Sequence, residues 1–495
     1  MVKTASIAAC RLTVICAAAL MAGCSMIPTY QRPVAPVAAD WPVISGGVTP
    51  AVAPTPAKAA ADIEWQEFFS DARLHQLIEA ALRNNRDLRV AVLNIEQARA
   101  QFQIRSADQY PNINAALTGS RQPSAASANG SRGIASTYSA GLAVTAYELD
   151  FFGRVASLKE QALAQYLATE EGRKTAQISL IAGVANSYLN LLADDELLAI
   201  TRQTLVTREE SFRLSKLRFD NGVTSELDLR LAESLTEAAR VSIAQLSRQR
   251  ALEQNALTLL IGQPVTGDLA DLASPGSKSL AEATYMQDLP AGLPSDVLAL
   301  RPDVRQAEQQ LLAANANIGA ARANFFPRIA LTTTVGSASS HLTDLFKSGS
   351  FGWTLAPQLL LPLFDAGRNQ ANLGAANAGR DIAVAQYEKS IQTAFREVAD
   401  ALAGRATLGE QLRAQQAQAN AETVRFKLAD LRYQNGIANS LDVLDAQRSL
   451  FTVQQALVQT RLAQLQSQVA LYKALGGGWK DATIAAGATS ASANR

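Results

Sequence analysis

The chain repeats itself once, and this duplication limits the folds open to it. Asn85-Arg86-Asp87-Leu88 has its counterpart in Arg301-Pro302-Asp303-Val304, and Tyr110-Pro111 in Phe326-Pro327, both 216 residues further on. Phe152-Gly153-Arg154 matches Ala366-Gly367-Arg368 at an offset of 214, as Leu217-Arg218-Phe219-Asp220-Asn221-Gly222-Val223 matches Leu431-Arg432-Tyr433-Gln434-Asn435-Gly436-Ile437. Gly262 and Gly476 close the two copies at the same offset. The offset changes once, by two residues, between the Pro and the Gly-Arg, so a loop differs in length there. Two copies of so long a unit are a duplication and not a short-period solenoid.

Each copy reads as helix, strand pair, long helix, turn, helix. Leu74 to Ala107 is Ala-rich, has apolar residues at helical spacing and lacks interior Gly and Pro, which predicts one unbroken helix. Pro111 ends it and starts an extended run in which Ile113, Ala115 and Leu117 alternate with Asn112, Asn114 and Thr118. Ser120 to Ser136, rich in Gly, Ser, Ala and Pro, is expected to be a loop, and Tyr138 to Tyr147 the returning strand. In the second copy Ile329, Leu331, Thr333 and Val335 go out, and Phe351, Trp353 and Leu355 return after a Gly/Ser-rich loop.

Strands of about ten residues have the length that a tilted strand needs to cross a bilayer. Aromatic residues gather at their ends: Tyr110, Tyr147, Phe151, Phe152, Phe325, Phe326 and Phe364. Such girdles mark membrane interfaces, although two hairpins on a soluble core would show the same alternation. Val155 to Asp220 is a Pro-free run of 66 residues, about 100 Å of helix at 1.5 Å per residue. The flanking helices, 34 and 36 residues long, match it when stacked end to end. Val184, Leu191, Leu198, Leu205, Phe212 and Phe219 recur every seventh position, half of a coiled-coil seam. Four strands are fewer than the eight of the smallest outer-membrane barrels, so a barrel must be closed by several chains, and three would give twelve strands.

The N-terminus sets the compartment. Lys3 and Arg11 precede the apolar run Leu12 to Ala22, too short to span a bilayer but fitting a secretory signal. Ala22-Gly23-Cys24 resembles the lipobox of bacterial lipoproteins, with Met21 where Leu is usual; Ser25 is compatible with outer-membrane sorting. Cys10 and Cys16 would leave with the signal, so Cys24 would carry lipid and the mature chain no free thiol. With 45 basic and 44 acidic residues the net charge is +1, which offers nucleic acid no long-range attraction. No stretch after the signal holds 18 consecutive apolar residues, so any crossing of a membrane must be made by strands.

Several motifs together resemble the TolC-like outer-membrane factor family, in its lipoprotein branch of efflux channels. They are Pro28-Thr29-Tyr30-Gln31-Arg32-Pro33, Tyr147-Glu148-Leu149-Asp150-Phe151-Phe152-Gly153-Arg154 and Gly292-Leu293-Pro294-Ser295-Asp296 leading to Arg301-Pro302-Asp303. Leu444-Asp445-Ala446-Gln447-Arg448 and Leu475-Gly476-Gly477-Gly478-Trp479 complete the set. The resemblance implies a mixed α/β membrane protein: a homotrimeric 12-stranded β-barrel, four strands per chain, continuous with a long periplasmic α-helical coiled-coil barrel. It implies a passive efflux channel with two protein partners, a periplasmic adaptor (membrane fusion) protein and an inner-membrane pump of RND type. The expected organisation is a signal peptide over 1–23, a lipidated linker over 24–62 and a first repeat over 63–262 with its hairpin near 112–148. An inter-repeat segment over 263–292, a second repeat over 293–478 with its hairpin near 328–361, and a tail over 479–495 follow.

With the strands in the membrane, the Asn-Gly turns fall at the far periplasmic end. Asn221-Gly222 and Asn435-Gly436 suit left-handed helix stops, Ser225 and Asn439 suit N-caps, and Asp228 and Asp442 sit in capping-box position. Asp445 lies beyond the first helical turn and shares a face with Asp442. Three chains would set these carboxylates in a ring that favours cations, unless Asp445 pairs with Arg448 on its own helix. The family resemblance adds Leu441 as an apolar constriction, and Arg432 and Tyr433, with Asp228 as a partner, as contacts that hold the tip shut.

No catalytic constellation is visible. His75 and His341 lack acid or thiol neighbours at zinc spacing, and no phosphate loop is present, so energy must come from a partner. No cofactor is expected beyond the covalent lipid on Cys24. Two rivals are an outlet for type I-like protein secretion and a lipid-anchored coiled-coil scaffold with no pore.

Overall fold

The computed structural model describes residues 25–42, 60–123, 133–264, 280, 289 and 299–480. The signal, Cys24, residues 43–59, most of the inter-repeat segment and residues 481–495 lie outside them. The first repeat runs α1 (Trp65–Phe68), α2 (Ala72–Asn84), α3 (Arg86–Ala107), β1 (Ile113–Pro123), β2 (Ile134–Leu149), α4 (Arg154–Asp220) and α5 (Glu226–Ile261). The second runs α6 (Pro302–Ala323), β3 (Arg328–Ser339), β4 (Phe351–Leu360), α7 (Arg368–Gln434) and α8 (Ser440–Ala474). Both long helices, α4 and α7, have 67 residues.

Two expectations need correcting. The helix foreseen from Leu74 to Ala107 is broken at Asn85, whose backbone is extended (φ −61°, ψ 132°). Asn85 ends α2 by donating its N–H to Ala81 O at 2.8 Å, then starts α3 by accepting from Leu88 N at 2.9 Å. Its Nδ2 donates to Leu260 O at 2.8 Å, which ties the break to the last turn of α5. A side-chain amide that caps in both directions can interrupt a helix without Gly or Pro. The loop expected from Ser120 is also shorter, because β1 pairs with β2 as far as Pro123↔Ile134.

The chain divides into two compact units, each drawing segments from both repeats: 1–34, 94–170 and 306–388 in one, 35–93, 171–305 and 389–495 in the other. The second unit holds the large apolar core. Trp65, Phe68, Phe69, Leu74, Leu77, Ile78, Tyr188, Leu191, Leu257 and Tyr472 are buried there. Phe68 stacks on Tyr472 with centroids 4.0 Å apart, and Tyr472 Oη donates to Ile63 O at 2.7 Å. α4 is the described helix long and apolar enough to cross a membrane by composition, but 72% of that stretch is buried inside the chain, so it is a core helix. Its heptad seam is buried at Val184, Leu191 and Leu198 and emerges at Phe219, the drift expected when a 3.6-residue helix carries a seven-residue repeat.

The first unit carries the sheet, antiparallel throughout in the order β1-β2-β3-β4. Register separates its faces. Ala115, Leu142, Val335 and Trp353 form one cross-strand row, and Ile113, Val144, Thr333 and Leu355 the next, all on one face. The opposite face carries small and polar residues, with the row Ala116, Gly141, Gly336 and Gly352 between Asn114 and Thr118. Gly141 and Gly336 allow β2 and β3 to approach: a Cβ on Gly141 would lie 2.3 Å from Val335 O. A bulge between Val144 and Tyr147, with Ala146 at φ 51°, keeps Tyr147 and Leu149 on the apolar face.

Candidate functional site: membrane sheet and helix-turn tips

The sheet has the makings of a membrane wall and not of a soluble core. Every residue of β1 and β4 is exposed within the chain, including Leu117 (74%), Phe351 (70%) and Trp353 (70%). Among the described residues neither β1 nor β4 pairs on its outer edge. An apolar face backed by a small polar face, with two open edges, suits lipid on one side and water on the other once the edges close. Phe152 and Phe326 stack at the foot of the sheet, centroids 4.8 Å apart, and Tyr147 Oη donates to Gln109 O at 2.9 Å.

Both long helices end in the same backbone motif. Gly222 N donates to Phe219 O and Val223 N to Arg218 O, each at 2.9 Å; Gly436 N and Ile437 N repeat this to Tyr433 O and Arg432 O at 3.0 and 2.9 Å. These are Schellman stops, with the glycines left-handed at φ 65° and 72°. Asn221 and Asn435 each donate Nδ2 to the carbonyl four residues back, at 2.7 Å. Ser225 accepts from Asp228 N at 3.2 Å and Asn439 from Asp442 N at 2.9 Å, so both return helices have the expected caps.

Within one chain the tip side chains find partners of their own. Asp228 touches neither Arg432 nor Tyr433 within the chain; it accepts from Thr224 Oγ1 (2.8 Å), Ser225 Oγ (2.9 Å) and Ser440 Oγ (3.4 Å). The Thr224 and Ser225 hydroxyls hold its carboxyl below the usual carboxylate range. Tyr433 is engaged instead by Arg218, whose Nη1 donates to the phenol and whose guanidinium lies 4.5 Å from the ring centroid. Arg218 is the repeat counterpart of Arg432, so the duplication itself points to it. Arg432 is exposed and makes no side-chain hydrogen bond or ion pair among the described residues.

Asp445 does pair with Arg448, at 2.5 Å, and also with Arg425 on α7, at 2.7 Å. The Arg425 hydrogen bond, backed by Arg448, holds its carboxyl below the usual range, so it stays charged but locally compensated. Leu441 and Asp442 are exposed, and the Asp442 carboxylate has no partner among the described residues. Among the described residues no group of His, Cys, Asp and Glu is placed to hold a metal ion.

A sheet of this kind joined directly to helices of this length defines an outer-membrane channel component. The chain belongs to the outer membrane efflux protein family, whose model matches residues 77–263 and 293–477. It is 50% identical over 468 residues to the probable efflux pump outer membrane protein TtgC of Pseudomonas putida, covering 94% of both chains. It is 46% identical over 463 residues to the outer membrane protein OprJ of Pseudomonas aeruginosa, covering 93% of this chain and 94% of that one. Among solved structures, the open state of the Neisseria gonorrhoeae MtrE outer membrane channel superposes with a TM-score of 0.82 at 40% identity, covering 92% of this chain and 99% of that one. The protein is thus the outer-membrane channel of an efflux system. A coiled-coil scaffold without a pore accounts for neither the sheet nor these relatives.

Proposed function

We propose that three copies close their sheets, β1 of one against β4 of the next, into a twelve-stranded barrel through which small molecules leave passively. The observation that carries this is the pair of unpaired edges on a sheet with one apolar face, an arrangement that lipid does not tolerate open. A lipid on Cys24 would anchor each chain, and a periplasmic adaptor with an RND-type inner-membrane pump would deliver the cargo. Antibiotics and solvents such as toluene, named for the relatives' pumps, are the cargo to try first.

At the tip Leu441 would narrow the passage and Asp442 would set its charge. Asp445 belongs to the same ring, but Arg425 and Arg448 offset it within each chain, so the three Asp442 carboxylates carry most of the free charge. Such a ring favours cations. Arg432, unpaired among the described residues, is free to reach a neighbouring chain, and Arg218 with Tyr433 closes the turns of one chain on each other. Asp228 acts here through Ser440, joining the two return helices.

Extraction of outer membrane in mild detergent tests the assembly. Unheated samples should migrate as trimers that collapse to single chains on boiling. A soluble monomer, or protein released from the membrane by salt alone, contradicts the proposal.

A further inference from the structure

Among the described strand residues three carry charge: Arg121, Glu148 and Arg328. Register assigns each to a face. Arg121 pairs with Ser136 and alternates in step with Ala115 and Leu117, so it lies on the apolar face. Glu148 pairs with Ala330 and Arg328 with Leu360, one step from Leu149↔Ile329 on the apolar face, so both lie on the small polar face. Elsewhere that face is short and uncharged, as at Thr118, Ser139, Thr334 and Thr354.

The two charges on the polar face are not equally presented. Arg154, at the start of α4, donates Nε and Nη2 to Glu148 at 2.8 and 2.7 Å, and Arg328 Nε lies 2.6 Å from the same carboxylate. Two guanidiniums thus cover one carboxylate, whose side chain is 10% exposed, while that of Arg328 is 55% exposed. Apart from Glu148, Arg328 has no hydrogen bond or ion pair among the described residues, so its Nη groups are left to water. The other carboxylates at this end serve helix starts: Asp150 accepts from Ala156 N at 2.7 Å, and Asp365, with Arg368 beside it, from Gly367 N and Asn369 N at 3.0 and 2.8 Å. The group is near neutral in sum, but the charge that the sheet shows to water is a guanidinium.

We propose that Arg328 is a specificity-determining residue of the channel: in the closed barrel three copies ring the water-filled lumen and draw in anionic solutes, multivalent ones most strongly. Guanidinium meets carboxylate and phosphate groups with paired charge-assisted hydrogen bonds. A ring of one sign lining a pore raises the local concentration of the opposite sign. Charges reach about 10 Å through salt of about 0.1 M, so three should bias a monovalent ion about twofold and a multivalent ion about tenfold. The sign opposes that of the Asp442 carboxylates, so two residues and not one weigh the cargo by charge. This rests on the proposed barrel, which the heat-modifiable trimer reports separately.

Reversal potentials of purified trimers in a planar bilayer, under a potassium chloride gradient, test it. The expected result is a potassium-to-chloride permeability ratio about twofold higher in R328Q than in the parent, with R328K at the parent value. R121Q, which removes a positive charge from the opposite face of the same sheet, should also match the parent. Inorganic triphosphate gives a second readout that needs no current. Its phosphorus NMR lines should broaden with parent trimers at low salt, about tenfold less with R328Q, and as in the parent with Asp442→Asn. R328Q trimers that match the parent in both measurements overturn the proposal. So does an R121Q shift as large as that of R328Q, or R328K behaving like R328Q, because total charge or lost packing would then be the cause and not a cation at the lumen.

Discussion

The two repeats use one backbone plan and fill it with different chemistry. Where the first copy opens its second helical segment with Asn85, the second opens with Arg301, and each reaches the same place: Asn85 Nδ2 donates to Leu260 O and Arg301 Nη1 to Ala474 O, both at 2.8 Å. Leu260 and Ala474 are repeat counterparts, each two residues before a left-handed glycine. The two copies therefore share the latch but not its side chains. In the first copy it is a neutral amide; in the second it is a buried guanidinium that also binds Asp303 and Glu397 at 2.6 and 2.7 Å. A conserved contact point can thus be refitted with a charge network while the carbonyl it holds stays fixed.

The comparison breaks most visibly if the latches are cut one at a time. Arg301→Met removes the carbonyl bond and leaves Asp303 and Glu397 without their partner, and should cost about 2–3 kcal/mol, less than a fully buried pair because the two carboxylates are 32% and 36% exposed and water screens them. Asn85→Ala removes a cap and one hydrogen bond and should cost about 1–2 kcal/mol. Denaturant midpoints measured by circular dichroism rank the two, and equal losses would mean that the charges contribute nothing beyond the shared carbonyl bond.

The glycines that follow give the next contrast. Gly262 and Gly476 are left-handed at φ 78° and 79°, but a Cβ on Gly262 would lie 2.4 Å from Asn84 O, whereas on Gly476 the nearest atom would be 3.7 Å away. Gly476→Ala should cost about 1 kcal/mol, from backbone strain alone. Gly262→Ala adds a backbone collision, so about 3 kcal/mol is expected. The temperatures at which trimers dissociate should separate in that order.

Asp194 offers a smaller contrast, since its counterpart is Leu408. Burial, reinforced by the neighbouring charges of Glu253 and Asp195, pushes its carboxyl up from 3.8 to about 6, and its Oδ2 is buried without a partner. The folded chain therefore keeps a proton that the unfolded chain has already released, and this contribution to stability is full below pH 3.8 and lost as pH rises through about 6. Asp194→Asn should raise stability at neutral pH by about 1–2 kcal/mol, with the gain vanishing in acid. A thermal-melting profile across pH would show it, and a pH-independent difference would contradict it.

Much of this architecture could be read from residue order. Pro111, Pro327 and the Gly-Arg pairs marked where helices give way to strands and strands to helices, and the Asn-Gly turns marked the stops, because each residue type acts on its own backbone. The break at Asn85 was hidden because its cause is a carbonyl at Leu260, distant in sequence. The bulge at Ala146 depends on the register against β3, which alternation within one strand does not encode. At the tip, the caps were legible from local spacing, whereas the partners of Asp445 and Tyr433 depend on how helices pack: Arg425 and Arg218 come from other helices.

The tips pose the same contrast in functional form. Asp228 is bound by three hydroxyls, while its counterpart Asp442 presents a carboxylate with no partner among the described residues. Single-channel recording of purified trimers in a planar bilayer tests whether this chain is a pore whose charge is set there. The account predicts a small cation-selective conductance whose preference falls sharply in Asp442→Asn, falls less in Asp445→Asn and is unchanged in Asp228→Asn. Verified trimers that conduct with the same selectivity in all three variants would contradict the assignment of the ring, and trimers that never conduct, even with the tip variants combined, would contradict the channel itself.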